Sequence, residues 1–252
     1  MLELSPLAHF GFLLVRPGMV LILAPGIGGV AVPTQAKVAL TVFVAFVLFP
    51  SVPIPPGNGN ALVTAIVARE LVIGLSLGFA VRTLIAGAEL AGQLSGFQMG
   101  LSYAAAVDPQ NGVQNPVVAT LFGMLATLGL LAINGHHMML QALAMSYTRL
   151  PIGMGAVGGG LVDAVESLMA LVFDVGARLA APIVVVLLIV EIGVGLISRA
   201  APTLNFMIVG YPVRLVVGLL LLAVLVATVP AVTNAMVEST IVLATRTAAV
   251  FR

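Results

Sequence analysis

Six apolar runs, at about residues 7–24, 38–54, 61–90, 117–145, 161–198 and 213–237, have the scale of the ~20 residues a helix needs to cross a bilayer. Their ends are punctuated by helix-breaking residues: Pro50–Asn60, Asn111-Gly112, the glycine run Gly153–Gly160, Ala201-Pro202 and Tyr211-Pro212. No soluble domain fits between the runs. With 61% hydrophobic and 8% charged residues, the chain lies far from a soluble domain, where these shares are about 45–50% and 25%. The expected fold class is all-α: an integral membrane protein of kinked helices and helical hairpins.

Several runs are imperfect. Arg16-Pro17-Gly18 interrupts the first, Pro182 the fifth, and the last meets Pro230. Each proline removes a helical N–H and invites a kink, and in lipid the freed backbone groups need protein neighbours. The start of the chain carries Glu3 and His9 where a signal peptide needs a positive region, so a mature, membrane-embedded beginning is expected.

Charges inside the runs add a second constraint. The third run holds Arg69, Glu70, Arg82 and Glu89, and the fifth holds Asp174, Arg178 and Glu191. A charge at mid-bilayer costs at least about 2.5–3.5 kcal/mol on insertion scales, so these residues must face protein or water, or lie outside the hydrocarbon. At 100° per residue, Arg82, Glu89 and Gln93 fall within about 20° of one line. Asp174 and Arg178 stand at i, i+4 with the acid first, the favourable order for a helical pair. These five are the candidate buried polar and register residues: Arg82 and Glu89 are expected to fix the register between subunits, and Asp174 and Arg178 to form a locally neutralised structural pair. Gly74 and Gly78, then Gly92, Gly96 and Gly100, recur every four residues and would let helix backbones approach closely.

Composition and spacing remove most catalytic classes. Without cysteine there is no disulfide framework, thiolate metal site or thiol nucleophile. A net charge of +1 with no basic run gives nothing to hold nucleic acid. Gly153-Met-Gly155-Ala-Val-Gly158 matches G-x-G-x-x-G, but no strand precedes it, so no nucleotide site is assigned. His136 and His137 are adjacent, point about 100° apart on a helix and do not chelate one ion unaided; beside Asn134-Gly135 they suit a polar helix start. No convincing Ser–His–Asp order is present. The chain is read as not an enzyme, with no cofactor and no metal. A secondary transporter would account for kinked helices and midplane charges, but the paired broken helices of internal repeats are not evident.

Within this apolar chain, the stretch from Glu89 to Pro116 is polar and glycine-spaced. Its blocks Glu89-Leu-Ala-Gly-Gln93 and Gly96-Phe97-Gln98-Met99-Gly100, followed by Asp108-Pro109 and Asn115-Pro116, resemble the FliR family of flagellar biosynthetic proteins. Two later blocks agree: Asn134-Gly135-His136-His137 leading to Leu150-Pro151-Ile152-Gly153, and Ser198-Arg199 through Pro202 and Asn205 to Gly210-Tyr211-Pro212 and Val217-Gly218-Leu219. Their order and spacing extend over nearly the whole chain.

The resemblance implies a subunit of the flagellar type III protein export gate in the bacterial inner membrane, at the flagellar basal body. One copy would join several copies of FliP and FliQ around a path for unfolded proteins, with FlhB and FlhA as further partners. It also implies a FliP-like part, residues 1–152, a glycine-rich connection at 153–160 and a FliQ-like hairpin part at 161–252. The family is similar to export-apparatus subunits of virulence type III secretion systems, the alternative assignment.

In the family the loop corresponding to about Gly100–Pro116 acts as a plug in the pore. The candidate plug and pore residues are therefore Phe97, Met99, Gly100, Asp108, Pro109, Asn111, Gly112, Asn115 and Pro116. Asp108-Pro109 and Asn111-Gly112 favour turns, and Phe97 and Met99 would add an apolar seal. The competing reading is an ordinary re-entrant loop packed on its own helices.

Overall fold

The computed structural model describes residues 6–29, 31–53, 61–101, 117–153, 160–200 and 210–225. Seven α-helices occupy these residues, with no strand among them: α1 (Pro6–Leu23), α2 (Thr34–Leu48), α3 (Ala61–Gln98), α4 (Val117–Ala132), α5 (Gly135–Arg149), α6 (Gly160–Ala200) and α7 (Gly210–Leu225). A short 3-10 turn, Phe49–Ser51, extends α2. This is the expected all-α membrane class. Among the described residues, four helical segments are long and apolar enough to span a bilayer: Pro6–Leu23, Thr34–Ser51, Val63–Gln98 and Val165–Ala200.

Two runs differ from the expected spans. The third continues through the first part of the polar stretch to Gln98, because Glu89–Gln98 contains no proline and Gly92 lies against helix backbone rather than in a turn. The fourth is broken into α4 and α5, which meet at 69°. Asn134 makes the break: its φ of 58° is left-handed, which asparagine tolerates better than most residues, and α5 restarts at Gly135. His136 and His137 occupy the first turn of α5 with their ring centroids 4.3 Å apart.

Among the described residues the contacts form two compact units, one within residues 6–83 and 130–169, the other within 84–129 and 170–225. In the first, α1 and α2 form a hairpin. Lys37 Nζ donates to the Gly28 and Gly29 carbonyls in the connecting turn, at 3.0 and 2.9 Å. A Cβ at Gly28 would fall 2.0 Å from the Ile22 carbonyl oxygen, so only glycine fits this turn. Leu13, Val20 and Leu21 of α1, Ile73 and Leu77 of α3, Leu143 and Tyr147 of α5, and Ile152 share one core. Gly74 and Gly78 bring α3 onto α1: a Cβ at either would come within 2.9 Å of Met19 or Leu23 side-chain atoms.

The second unit packs by the same device. Gly87 of α3 faces Val175 of α6, Gly176 of α6 faces Leu90 of α3, and Gly92 of α3 faces the backbone of Val118 and Ala119 in α4. Met99, Phe122, Ile183, Leu187 and Leu222 form its core. Where contact is through backbone rather than flexible side chains, there is no room to adjust.

Gly92→Val should therefore destabilise the protein by about 1–3 kcal/mol through overpacking. Its Cβ would stand 2.5 Å from Ala119 Cα, whereas Gly11 has nothing within 4 Å and Gly11→Ala should change little. Thermal unfolding in mild detergent checks both; equal shifts for the two would contradict this packing.

Candidate functional site

Arg16 in α1 and Glu70 in α3 are opposite charges placed in separate apolar spans, and each needs a counter-ion there. The fold brings them together with both side chains fully buried. Arg16 Nε donates to Glu70 Oε2 at 2.8 Å and Nη2 to Oε1 at 3.0 Å, a bidentate pair. Nη1 donates to Ser146 Oγ at 2.9 Å, and Nη2 also donates to the Leu150 carbonyl at 3.1 Å. The guanidinium carbon lies 4.2 Å from the centre of the Tyr147 ring, within cation–π range.

This arrangement answers the proline next to Arg16. A residue at position 17 of a helix would donate its N–H to the carbonyl of Leu13, and proline has none to give. α1 nevertheless continues to Leu23, because Tyr147 Oη donates to the Leu13 carbonyl at 3.2 Å. Ser146 and Tyr147, neighbours near the end of α5, thus serve Arg16 and Pro17, neighbours in the middle of α1. Ser146 Oγ in turn donates to the Leu143 carbonyl at 2.6 Å, completing the chain of bonds.

A second constellation lies where α3 ends. Met99 is fully buried, its side chain lying where a Cβ on Gly218 of α7 would stand, at 2.5 Å from that position. Gly100 has a φ of +79° and faces the Tyr211 ring, so both glycines are needed for α7 to close on the end of α3. Arg214 of α7 donates from Nη1 to Glu191 Oε1 of α6 at 3.3 Å. Of the candidate plug residues, Phe97 is 73% exposed, Met99 is packed inside, and Gly100 forms the turn after α3. Asp108, Pro109, Asn111, Gly112, Asn115 and Pro116 lie outside the described residues.

The candidate register residues are spread over several environments. Arg82 and Glu89 are half-buried on α3, with the Glu89 side chain lying over Gly123 of α4, and Gln93 is exposed. Arg178 Nε donates to Asp174 Oδ1 at 2.8 Å, with both side chains largely exposed on the single chain. Arg16, Glu70 and Tyr147 were not among the candidates. The signal for the pair was Arg16, the one charge of the first run, which needs an acid from another span; for Tyr147 it was the orphaned carbonyl four residues before Pro17. No group of three metal-ligating side chains occurs among the described residues.

The model of the family described as "Bacterial export proteins, family 1" matches residues 7–240. The flagellar biosynthetic protein FliR of Escherichia coli (strain K12) is 35% identical over 205 residues, covering 80% of this chain and 78% of that protein. This chain belongs to the FliR family of bacterial export proteins. FliR of Caulobacter vibrioides (strain ATCC 19089 / CIP 103742 / CB 15) is 30% identical over 216 residues, covering 82% of this chain and 84% of that protein. FliR of Bacillus subtilis (strain 168) is 27% identical over 221 residues, covering 85% of each. The family match includes both the Arg16–Glu70 cluster and the α3–α7 contact.

A double-mutant cycle tests the proline account. Tyr147→Phe should cost about 1 kcal/mol of stability, the worth of a typical intramolecular hydrogen bond. In a Pro17→Ala background the cost should vanish, because the new N–H serves Leu13. An equal loss in both backgrounds would contradict the assignment.

Proposed function

We propose that this chain is a subunit of the flagellar type III protein export gate, forming with FliP and FliQ the path for unfolded flagellar proteins in the bacterial inner membrane. Membership of a bacterial export family and likeness to proteins named for flagellar biosynthesis support the system assigned. α6 supports the assembly. Its span Val165–Ala200 has 36 residues, about 54 Å of helix at 1.5 Å per residue, with only 17% of its most apolar window buried.

A bilayer offers about 30 Å of hydrocarbon, so a helix of that length, which carries Asp174, Arg178, Pro182 and Glu191, extends beyond the acyl chains unless strongly tilted or bent. Val185, Ile189, Ile192, Leu196 and Ile197 are exposed along it, and Gly193 and Gly195 have open space beside them. Apolar helices of neighbouring subunits suit this surface, since small residues admit close backbone approach. We assign residues 161–252 as the FliQ-like part, 153–160 as the connection and 1–152 as the FliP-like part. FlhB and FlhA are the further neighbours in this reading.

The chain acts as conduit and closure, without covalent chemistry. A path for varied unfolded chains favours weak contacts, because a sticky site would hold its cargo. Residues 100–116 are the proposed plug. Its root is held by the turn at Gly100 and by Met99, whose burial against Gly218 gives it the role of anchor for α7. Phe97, exposed just before it, is the candidate for the apolar seal.

Native mass spectrometry of the chain purified with co-expressed FliP and FliQ should find one copy of it in a larger hetero-oligomer. A partner-free monomer, with FliP and FliQ assembled normally, would overturn the assignment. In the intact assembly, deleting Asp108–Asn115 should raise small-ion leak across proteoliposomes, and unchanged leak would remove the plug role.

A further inference from the structure

The buried charge pair does more than neutralise itself, because it also holds the backbone that leaves α5. Arg16 Nη2 donates to the Leu150 carbonyl at 3.1 Å. Glu70 Oε1 accepts from the Gly153 N–H at a longer 3.4 Å, and Arg69 Nη1 donates to the Gly153 carbonyl at 2.7 Å. Three polar backbone groups of the Leu150–Gly153 segment are thus met by charged side chains of α1 and α3. The segment is packed as well as bonded: Leu150 and Ile152 are 3% and 1% exposed. Gly153 takes a φ of +79° against Ile66, where a Cβ would stand 3.2 Å from that side chain.

These contacts have a sign. A carbonyl at Leu150 calls for a donor at position 16, and the negative end of the α5 dipole favours a cation at the same place. An N–H at Gly153 calls for an acceptor at position 70. We propose that Arg16 and Glu70 form a polarity-fixed clamp that reads the backbone of residues 150–153 and sets the direction in which the chain leaves α5 toward α6. An ordinary ion pair works equally well with its charges exchanged. This one does not: a carboxylate at position 16 would be set against the Leu150 carbonyl, and a guanidinium at position 70 against the Gly153 N–H. The single guanidinium also holds four of its five N–H groups in bonds to Glu70, Ser146 and Leu150, a fork that lysine does not reproduce.

The absence of cysteine makes a direct test available. In the full chain in mild detergent, Ile152→Cys reports on the clamped segment, and Leu187→Cys, equally buried in the other compact unit, reports on the rest of the fold. Maleimide labelling at position 152 should be slow in the otherwise native chain. It should rise at least about tenfold with Arg16→Gln and stay as fast in the exchanged Arg16→Glu/Glu70→Arg protein, while position 187 stays protected, since buried hydrogen bonds to charged groups are individually strong.

Glu70→Gln, which keeps an acceptor oxygen, should have a smaller effect than Glu70→Ala. Return of position 152 to the native labelling rate in the exchanged protein would overturn the clamp. If the exchange opens position 187 too, Arg16→Lys decides. A tenfold rise at position 152 alone supports the clamp; the native rate, or opening at both positions, overturns it.

Discussion

A chain this apolar has no water to satisfy what its helices leave unpaired, so every charge and every broken hydrogen bond inside it must find a protein partner. The Arg16–Glu70 pair is the centre of that requirement in the first compact unit. Buried charges lose several kcal/mol of hydration each, and the loss is offset only when geometry is good and the remaining donors and acceptors are also bonded. Here the guanidinium is bonded along both edges and stacked on Tyr147, and the carboxylate holds both Arg16 and Gly153. The same residues answer the hydrogen bond missing at Pro17 and the end of α5. One cluster therefore fixes α1, α3, α5 and the segment after it.

Glycine provides the complementary constraint. Where α3 meets α1, α4 and α6, glycines at Gly74, Gly78, Gly87 and Gly92 replace side-chain contact with close backbone approach. In an apolar solvent the burial of leucine against leucine gives little preference for protein over lipid, and close packing becomes the main source of specificity. α3 combines the two devices: a buried carboxylate near its start and small residues through the rest. Its end is closed by Met99 entering the space left by Gly218 of α7.

Much of this was legible in the sequence, for identifiable reasons. Long apolar runs gave the helices, because a spanning segment must satisfy its own backbone. Asn134-Gly135 suits a helix start or turn, but the unbroken apolarity of 117–145 hides the left-handed break there; the glycine spacing marks where helices approach. Pairings distant in sequence were not legible. Arg16 and Glu70 are 54 residues apart, and Arg16 and Ser146 are 130 apart, so only the need for a counter-ion pointed to them, without naming which. Met99 illustrates a different limit: a methionine at a helix end suits an apolar seal or a packing knob equally, and only its neighbour Gly218 distinguishes the two. Asp174 and Arg178 form a close pair whose spacing was readable, while their exposure depends on what else packs around α6.

What covers α6 is the point on which the functional account turns. Its apolar side chains Val185, Ile189, Ile192, Leu196 and Ile197 are exposed on the single chain, and the chain is read as one part of a larger helical assembly. Photo-crosslinking amino acids placed at Ile189, Ile192 and Leu196, in cells that also produce the flagellar export subunits, would identify the cover directly. The account predicts discrete protein adducts to FliP or FliQ at these positions. Adducts with lipid alone at all three, in cells where FliP and FliQ are shown to assemble, would contradict it.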